Sequence, residues 1–176
     1  MVLIFFEIQE ILGELSAWIK SGKVELSVFL GTNMDLAERL HKQLSKLGLN
    51  DPLFTVNIVS GTDKEELNKS AQQMLISADF VCSKPSGDRA YEACAAGCPL
   101  LSLFALHPHE EKIFEMLQEQ GMAVKCKTSH LKRQIEEIIT NNGIIQMIQA
   151  CRSEHARVGL HGTSNLLAFY REIAQI

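Results

Sequence analysis

The spacing of apolar residues predicts that helices and strands alternate along most of the chain. The first helix is indicated by apolar residues three and four positions apart, at Ile4, Ile8, Ile11, Leu12, Leu15, Trp18 and Ile19. Two interpretations of this apolar face stay open. It packs against its own domain, or it is a docking surface for a partner or a membrane. Phe5 and Phe6 widen the face and keep the second interpretation open.

Five apolar runs beyond Ser21-Gly22 are predicted strands, over residues 24–30, 54–59, 78–82, 99–104 and 122–126. Helices are predicted between and after them, over residues 34–47, 63–77, 90–96, 110–120, 129–140, 144–157 and 163–175. Continuous apolar strands separated by helices are typical of a parallel sheet covered on both faces. The pattern therefore predicts an α/β fold: a three-layer Rossmann-like domain with a mostly parallel sheet of about five strands and a helical C-terminus.

Local signals set the ends of several of these helices. Asn33 and Asp63 are predicted N-caps, because their side-chain oxygens can accept hydrogen bonds from the first free amides of a helix. Gly48 is placed to end the helix that follows Asn33, since glycine readily adopts the left-handed conformation of a helix C-terminus.

Length and composition fit one globular domain, with 176 residues, 46% hydrophobic and 22% charged. We expect residues 1–22 to form the amphipathic N-terminal helix and residues 23–176 to form the Rossmann-like domain.

The net charge is −4 and no basic block is present, which argues against a nucleic-acid partner. The first apolar run ends at Glu7 and is too short to span a bilayer, and it lacks the features of a secretory signal.

The five cysteines are odd in number and none has CxxC spacing, which is typical of reduced thiols in a cytosolic protein. Cys94 and Cys98 are four residues apart. They are small buried residues or, alternatively, a metal or redox pair. His107 and His109 lack a third ligand at a suitable spacing. We therefore expect no metal and no cofactor.

Residues 78–99 contain the clearest candidate chemistry, in a predicted strand, a loop of small residues and a helix. Gly87 lets a ligand approach the backbone, and free amides at a helix start attract phosphate. The carboxylate of Glu92 can accept two hydrogen bonds from a vicinal diol such as ribose. Together these parts describe a nucleotide-sugar site. Gly87 as a turn glycine and Glu92 as a solvated acid are the alternatives.

The string ADFVCSKPSGDRAYEACAAGCPLL resembles the donor-binding motif of GT-B glycosyltransferases. It is most similar to the C-terminal domain of family 28, which contains the lipid II N-acetylglucosaminyltransferase and the diacylglycerol glycosyltransferases. The residues that match in register are Ala78-Asp79, Ser83-Lys84-Pro85, Gly87, Glu92-Ala93 and Gly97-Cys98-Pro99.

The resemblance implies a binding site for a UDP-sugar donor. It places the ribose on Glu92, the diphosphate against the backbone of residues 86–89, and the sugar beside His109 or Glu110. The turn at Gly31-Thr32 corresponds to the family's first glycine-rich loop but contains fewer glycines. The implied nucleotide-sugar-binding residues are Gly31, Thr32, Ser83, Ser86, Gly87, Asp88, Arg89, Glu92, His109 and Glu110. No catalytic residue is assigned.

The chain has room for the donor half of a two-domain enzyme. The resemblance therefore implies a hexosyltransferase that works with a partner subunit or with an N-terminal domain. The partner is expected to be a membrane-associated, acceptor-binding subunit that docks on residues 1–19 and on the C-terminal helix. The expected setting is cell-envelope or glycolipid synthesis in the cytoplasm, peripheral to the inner membrane surface. A homodimer is a further alternative.

Departures from the family motif favour another interpretation. Ser86 replaces one glycine of a pair, Asp88 brings a negative charge to the phosphate position, and Ile113 replaces an asparagine. The alternative is a non-catalytic interaction module of GT-B ancestry that has lost donor binding. A truncated copy or fragment of a two-domain enzyme is a third possibility.

Overall fold

Seven α-helices and five parallel strands alternate along residues 5–51, 53 and 56–153, the part that the computed structural model describes. The strands are β1 (Leu26–Gly31), β2 (Val56–Ser60), β3 (Val81–Ser83), β4 (Leu100–Ser102) and β5 (Ala123–Lys125). The helices are α1 (Phe5–Lys20), α2 (Met34–Leu47), α3 (Lys64–Ser77), α4 (Gly87–Ala95), α5 (Pro108–Glu119), α6 (Leu131–Thr140) and α7 (Gly143–Arg152), with a 3-10 turn at Thr128–His130. The predicted α/β class is confirmed. The predicted helix over 163–175 lies outside the described residues.

The five strands form two sheets, of two and three strands. The prediction of a single sheet of about five strands is therefore wrong about the size of the sheet. β1 pairs with β2, and β3, β4 and β5 form a second sheet in that order. A cleft of about 870 Å³ lies between β1 and β3. Side chains of α1, α3 and α6 line this cleft, among them Ile8, Ala71 and Ile135. Side-chain packing, rather than a shared ladder of hydrogen bonds, therefore joins the two sheets.

Helices cover both faces of the second sheet. Leu101 on β4 belongs to a core that also contains residues of α1, β1, α2 and α6, for example Leu12 and Leu40. Leu100, its neighbour, belongs to a second core with Phe114 of α5 and Cys151 of α7. Because successive side chains of a strand point to opposite faces, the two cores are separate layers on either side of β4. This is the three-layer arrangement that the sequence predicts.

The apolar face of α1 packs against its own domain. Its buried residues are 0–7% exposed: Ile8, Ile11, Leu12, Leu15 and Ile19. Lys132 of α6 places its ammonium 5.5 Å from the centre of the Trp18 ring. These contacts support the first of the two interpretations of the helix, and α1 shares a core with the strands. No helix in the described ranges is long and apolar enough to cross a membrane.

Local caps set the helix ends where the sequence places them. Asn33 accepts a hydrogen bond from Leu36 N, and Asp63 accepts from Glu65 N and Glu66 N. Gly48 ends α2 in the left-handed conformation, with φ 63°. By contrast, α4 begins at Gly87, three residues before the predicted start, and this brings the helix end into the candidate site.

Candidate functional site

A tight turn joins the end of β3 to the start of α4. Ser86 N donates a 2.9 Å hydrogen bond to Lys84 O, and the hydroxyl of Ser83 donates to the same oxygen at 2.9 Å. Ser83 is buried. Ala90 N then donates to Ser86 O at 2.9 Å and closes the first turn of the helix. The amides of residues 87–89 come before Ala90 in the chain and therefore have no acceptor within the helix. They form the electropositive N-terminus of α4.

Gly87 lies against α5. A Cβ atom built on it would lie 3.7 Å from Cδ1 of Ile113, which is ordinary van der Waals contact. Gly87 is also not among the glycines with a positive φ. Neither packing nor backbone conformation therefore requires glycine here, and the isoleucine forms an apolar wall beside the start of α4.

A buried ion pair links the turn to the beginning of α5. The ammonium of Lys84 lies 2.6 Å from Oε1 of Glu110, and the two side chains are 15% and 2% exposed. Leu106 N donates to the other carboxylate oxygen at 2.7 Å. The hydrogen bond from Lys84 lowers the pKa of the Glu110 carboxyl, although burial acts in the opposite direction. Both oxygens of Glu110 thus have a protein partner.

The two histidines of this region stack at the surface. The rings of His107 and His109 are 5.5 Å apart and inclined by 10°, and both residues are exposed. His107 precedes Pro108, which occupies the first turn of α5. The pair thus projects from the same helix start that carries Glu110.

Glu92 is exposed on α4. It follows Gly87 by five residues, or about 7.5 Å along the helix axis. The backbone of Asp88 and Arg89 lies in the first turn of α4, and their side chains lie outside the described part of the chain.

The predicted site residues fall into two groups in the structure. Ser83, Ser86 and Gly87 lie along the turn before α4, and the ion pair with Lys84 brings Glu110 to it. Gly31 belongs to the other sheet, where its carbonyl accepts a 3.1 Å hydrogen bond from Gly61 N. Thr32 is exposed beside it, and its carbonyl accepts from Met34 N at the start of α2.

The bond between Lys84 and Glu110 could not be predicted from local sequence patterns, because the two residues are 26 positions apart. The available signal was the position of each residue in the chain. Lys84 follows β3 and Glu110 follows β4, and the carboxyl ends of these neighbouring parallel strands lie at the same edge of the sheet.

The cysteines are mostly buried. Cys94 and Cys98 are fully buried, and the hydrogen-bond partner of Cys94 is Cys151 of α7. Burial raises the pKa of Cys98 to about 12 and that of Cys126 to about 11. Buried thiols with raised pKa values are typically inert, which favours the structural interpretation. Within the described ranges, no three His, Cys, Asp or Glu side chains are grouped so as to hold a metal ion.

Comparisons with protein-family models, curated proteins and solved structures give no match to the chain.

Proposed function

We propose that the chain is the nucleotide-sugar-binding half of a GT-B-type glycosyltransferase, which transfers a hexosyl group together with a partner subunit or an N-terminal domain. The observation that supports this most is the fixed turn between β3 and α4. Ser83, Lys84 and Glu110 hold this turn at the carboxyl end of a parallel strand, where ligands of open α/β sheets bind. The amide end of α4 and the exposed Glu92 lie on the helix that follows.

The proposed chemistry is displacement at the anomeric carbon of the donor sugar. An acceptor hydroxyl forms the new carbon–oxygen bond, and the bond to the β-phosphate oxygen of the nucleoside diphosphate breaks. The amides at the start of α4 stabilise the negative charge that develops on the leaving diphosphate. Glu92 orients the ribose through its hydroxyls. The base that takes the acceptor's proton is assigned to the partner or to the other domain.

Two observations favour the second candidate, a non-catalytic interaction module of the same ancestry. Ile113 places an apolar side chain against Gly87, next to the amides that would hold phosphate. The carboxylate of Glu110 is engaged by Lys84 and Leu106, so that a sugar hydroxyl would have to share its oxygens.

For the acceptor side we propose a membrane-associated partner subunit, peripheral to the inner membrane surface. The burial of the apolar face of α1 limits docking on residues 1–19 to the part of the helix that remains at the surface. The proposed C-terminal docking helix lies outside the described residues.

Calorimetric titration with UDP, UDP-N-acetylglucosamine and UDP-galactose tests the donor proposal. We expect saturable binding by the wild type and weaker binding by Glu92→Ala. Glu38→Ala is the matched control, because Glu38 is also an exposed helical glutamate but lies on α2. Absence of binding up to millimolar nucleotide would reject the donor-binding function and favour the interaction module. Equal affinities of wild type and Glu92→Ala would reject the ribose contact.

A further inference from the structure

The Lys84–Glu110 ion pair is almost completely removed from solvent. Glu110 is 2% exposed and Lys84 is 15% exposed. Removing two charges from water costs about as much free energy as their attraction returns, so a buried pair is weak evidence for stabilisation. Such pairs are in some proteins retained because they select one conformation. The contacts around this pair indicate which conformation it selects.

Both the side chain and the backbone carbonyl of Lys84 make hydrogen bonds at the turn. Its ammonium contacts Glu110, and its carbonyl oxygen accepts hydrogen bonds from Ser86 N and from the Ser83 hydroxyl. The carbonyl of Ser86 accepts from Ala90 N. A continuous series of contacts thus runs from the start of α5 through the turn to the first turn of α4.

Glu110 also makes two hydrogen bonds that do not involve Lys84. Leu106 N donates to its second carboxylate oxygen at 2.7 Å, and the backbone amide of Glu110 donates to His107 O at 3.0 Å. The carboxylate therefore presents one oxygen to Lys84 from a rigid position.

We infer that Lys84 and Glu110 are positioning residues, whose ion pair sets the Lys84–Ser86 turn and thereby the orientation of the amide end of α4. The consequence for donor affinity rests on the proposed function, whereas the effect on the turn does not. Lys84 is not itself a phosphate ligand in this arrangement. If its ammonium turned to a phosphate, the buried carboxylate of Glu110 would lose its cation, which is strongly unfavourable.

The test removes the charges of both partners at once in the full chain, as Lys84→Met/Glu110→Gln. The amide carbonyl of the new side chain can still accept from Leu106 N, so the Leu106 amide keeps its acceptor. Lys84→Arg is the conservative variant. Glu111→Gln is the matched control, since Glu111 is the next residue on α5 and pairs with Lys125 at the surface.

Two readouts are measured on each variant: hydrogen exchange of individual amides by NMR and affinity for the UDP-sugar that the wild type binds best. We expect the amides of Ser86 and Ala90 to exchange at least about tenfold faster in the double variant, with the amides of α6 unchanged. We expect affinity to fall at least about tenfold, as it does when a preorganised site is loosened. Lys84→Arg and Glu111→Gln should match the wild type in both measurements.

Unchanged exchange at Ser86 and Ala90 in the folded double variant would overturn the inference, whatever happens to affinity. Accelerated exchange with unchanged affinity would also overturn it, because the pair would then stabilise the turn without positioning the site. If the wild type binds no nucleotide, the proposed function fails and the exchange readout alone decides on the turn. Should the double variant not fold, Glu110→Gln replaces it, since Lys84 is close enough to the surface to be hydrated.

Discussion

Leu100 and Leu101 are adjacent on β4, yet both are fully buried, because their side chains enter different cores on opposite faces of the sheet. A single three-residue strand thus serves two hydrophobic layers. Helices that are far apart in sequence, such as α1 and α5, are connected through it.

Truncation of either leucine is expected to destabilise the domain strongly. Leu100→Ala and Leu101→Ala should each lower the free energy of unfolding by roughly 2–5 kcal/mol, the range for cavities in rigid cores. Urea unfolding followed by circular dichroism measures both values. Ile139→Ala is the control, because Ile139 is 55% exposed, and its effect should stay within about 0.5 kcal/mol. A similarly small effect at Leu100 would contradict the second core.

Gly97 is the glycine with the strongest steric demand at the candidate motif. It has φ +82°, and a Cβ atom there would lie 3.0 Å from Nε of Arg152. Gly97→Ala should therefore reduce the free energy of unfolding by about 1–2 kcal/mol, the penalty for a left-handed backbone with a side chain. Gly13→Ala in α1 is the matched change, since its Cβ would meet open space. For Gly13→Ala we expect the free energy of unfolding to rise by up to about 1 kcal/mol. Thermal denaturation should therefore show a lower midpoint for Gly97→Ala and an equal or higher midpoint for Gly13→Ala.

The dependence of stability on pH should report the Lys84–Glu110 pair. The pKa of Glu110 is lowered from its ordinary value of 4.5, so its contribution is present above that value and is lost as the pH falls through the folded-state pKa. Unfolding measured from about pH 7 down to about pH 3 should show a steeper loss in the wild type than in Glu110→Gln.

Glu38→Gln provides the control for that profile. The hydrogen bond from Lys42 also lowers the pKa of Glu38, but both side chains are largely exposed. The Glu38→Gln substitution should therefore change the loss of stability at low pH only slightly, and this change should disappear at high salt. Parallel profiles for the wild type and Glu110→Gln would exclude a stabilising charge on Glu110.

The thiols should be protected in the folded protein. Cys94, Cys98, Cys126 and Cys151 are buried and therefore poorly accessible to a reagent. Burial raises the pKa of Cys82, whereas the hydrogen bond with Cys94 lowers the pKa of Cys151, so the protection of Cys151 rests on its burial. We expect Ellman's reagent near pH 8 to react slowly with the native chain and to titrate all five thiols after unfolding in guanidinium. Fast reaction of two or more native thiols would contradict the described packing.

Local signals account for the parts of the fold that the sequence predicted best. Asn33, Gly48 and Asp63 act through bonds within a few residues, and α2 and α3 accordingly begin and end where expected. The start of α4 was missed because Ser86-Gly87 has poor helix propensity, although the first helical hydrogen bond runs from Ala90 N to Ser86 O.

Non-local packing accounts for what the sequence did not reveal. The separation of β1 from β3 depends on side chains of α1, α3 and α6 that line the same cleft, and no pattern within a strand encodes that distance. The partner of Glu110 likewise depends on which strand ends are neighbours in the sheet. The motif located the turn of the candidate site, but it did not identify the contacts that hold the turn in place.

The break between the two sheets has a consequence for how the chain unfolds. A hydrogen-bond ladder that runs through a whole sheet opens cooperatively, whereas here only side chains bridge the gap between β1 and β3. Proteins open in contiguous cooperative units that often coincide with supersecondary motifs. We therefore expect two foldons, one built on β1 and β2 and the other on β3 to β5. The candidate turn before α4 belongs to the second, on the side of β4 that packs against α5 and α7, whereas Leu101 on the opposite side shares a core with β1. Hydrogen exchange of individual amides tests this, because equal opening free energies for β1 and β4 would exclude two separate units.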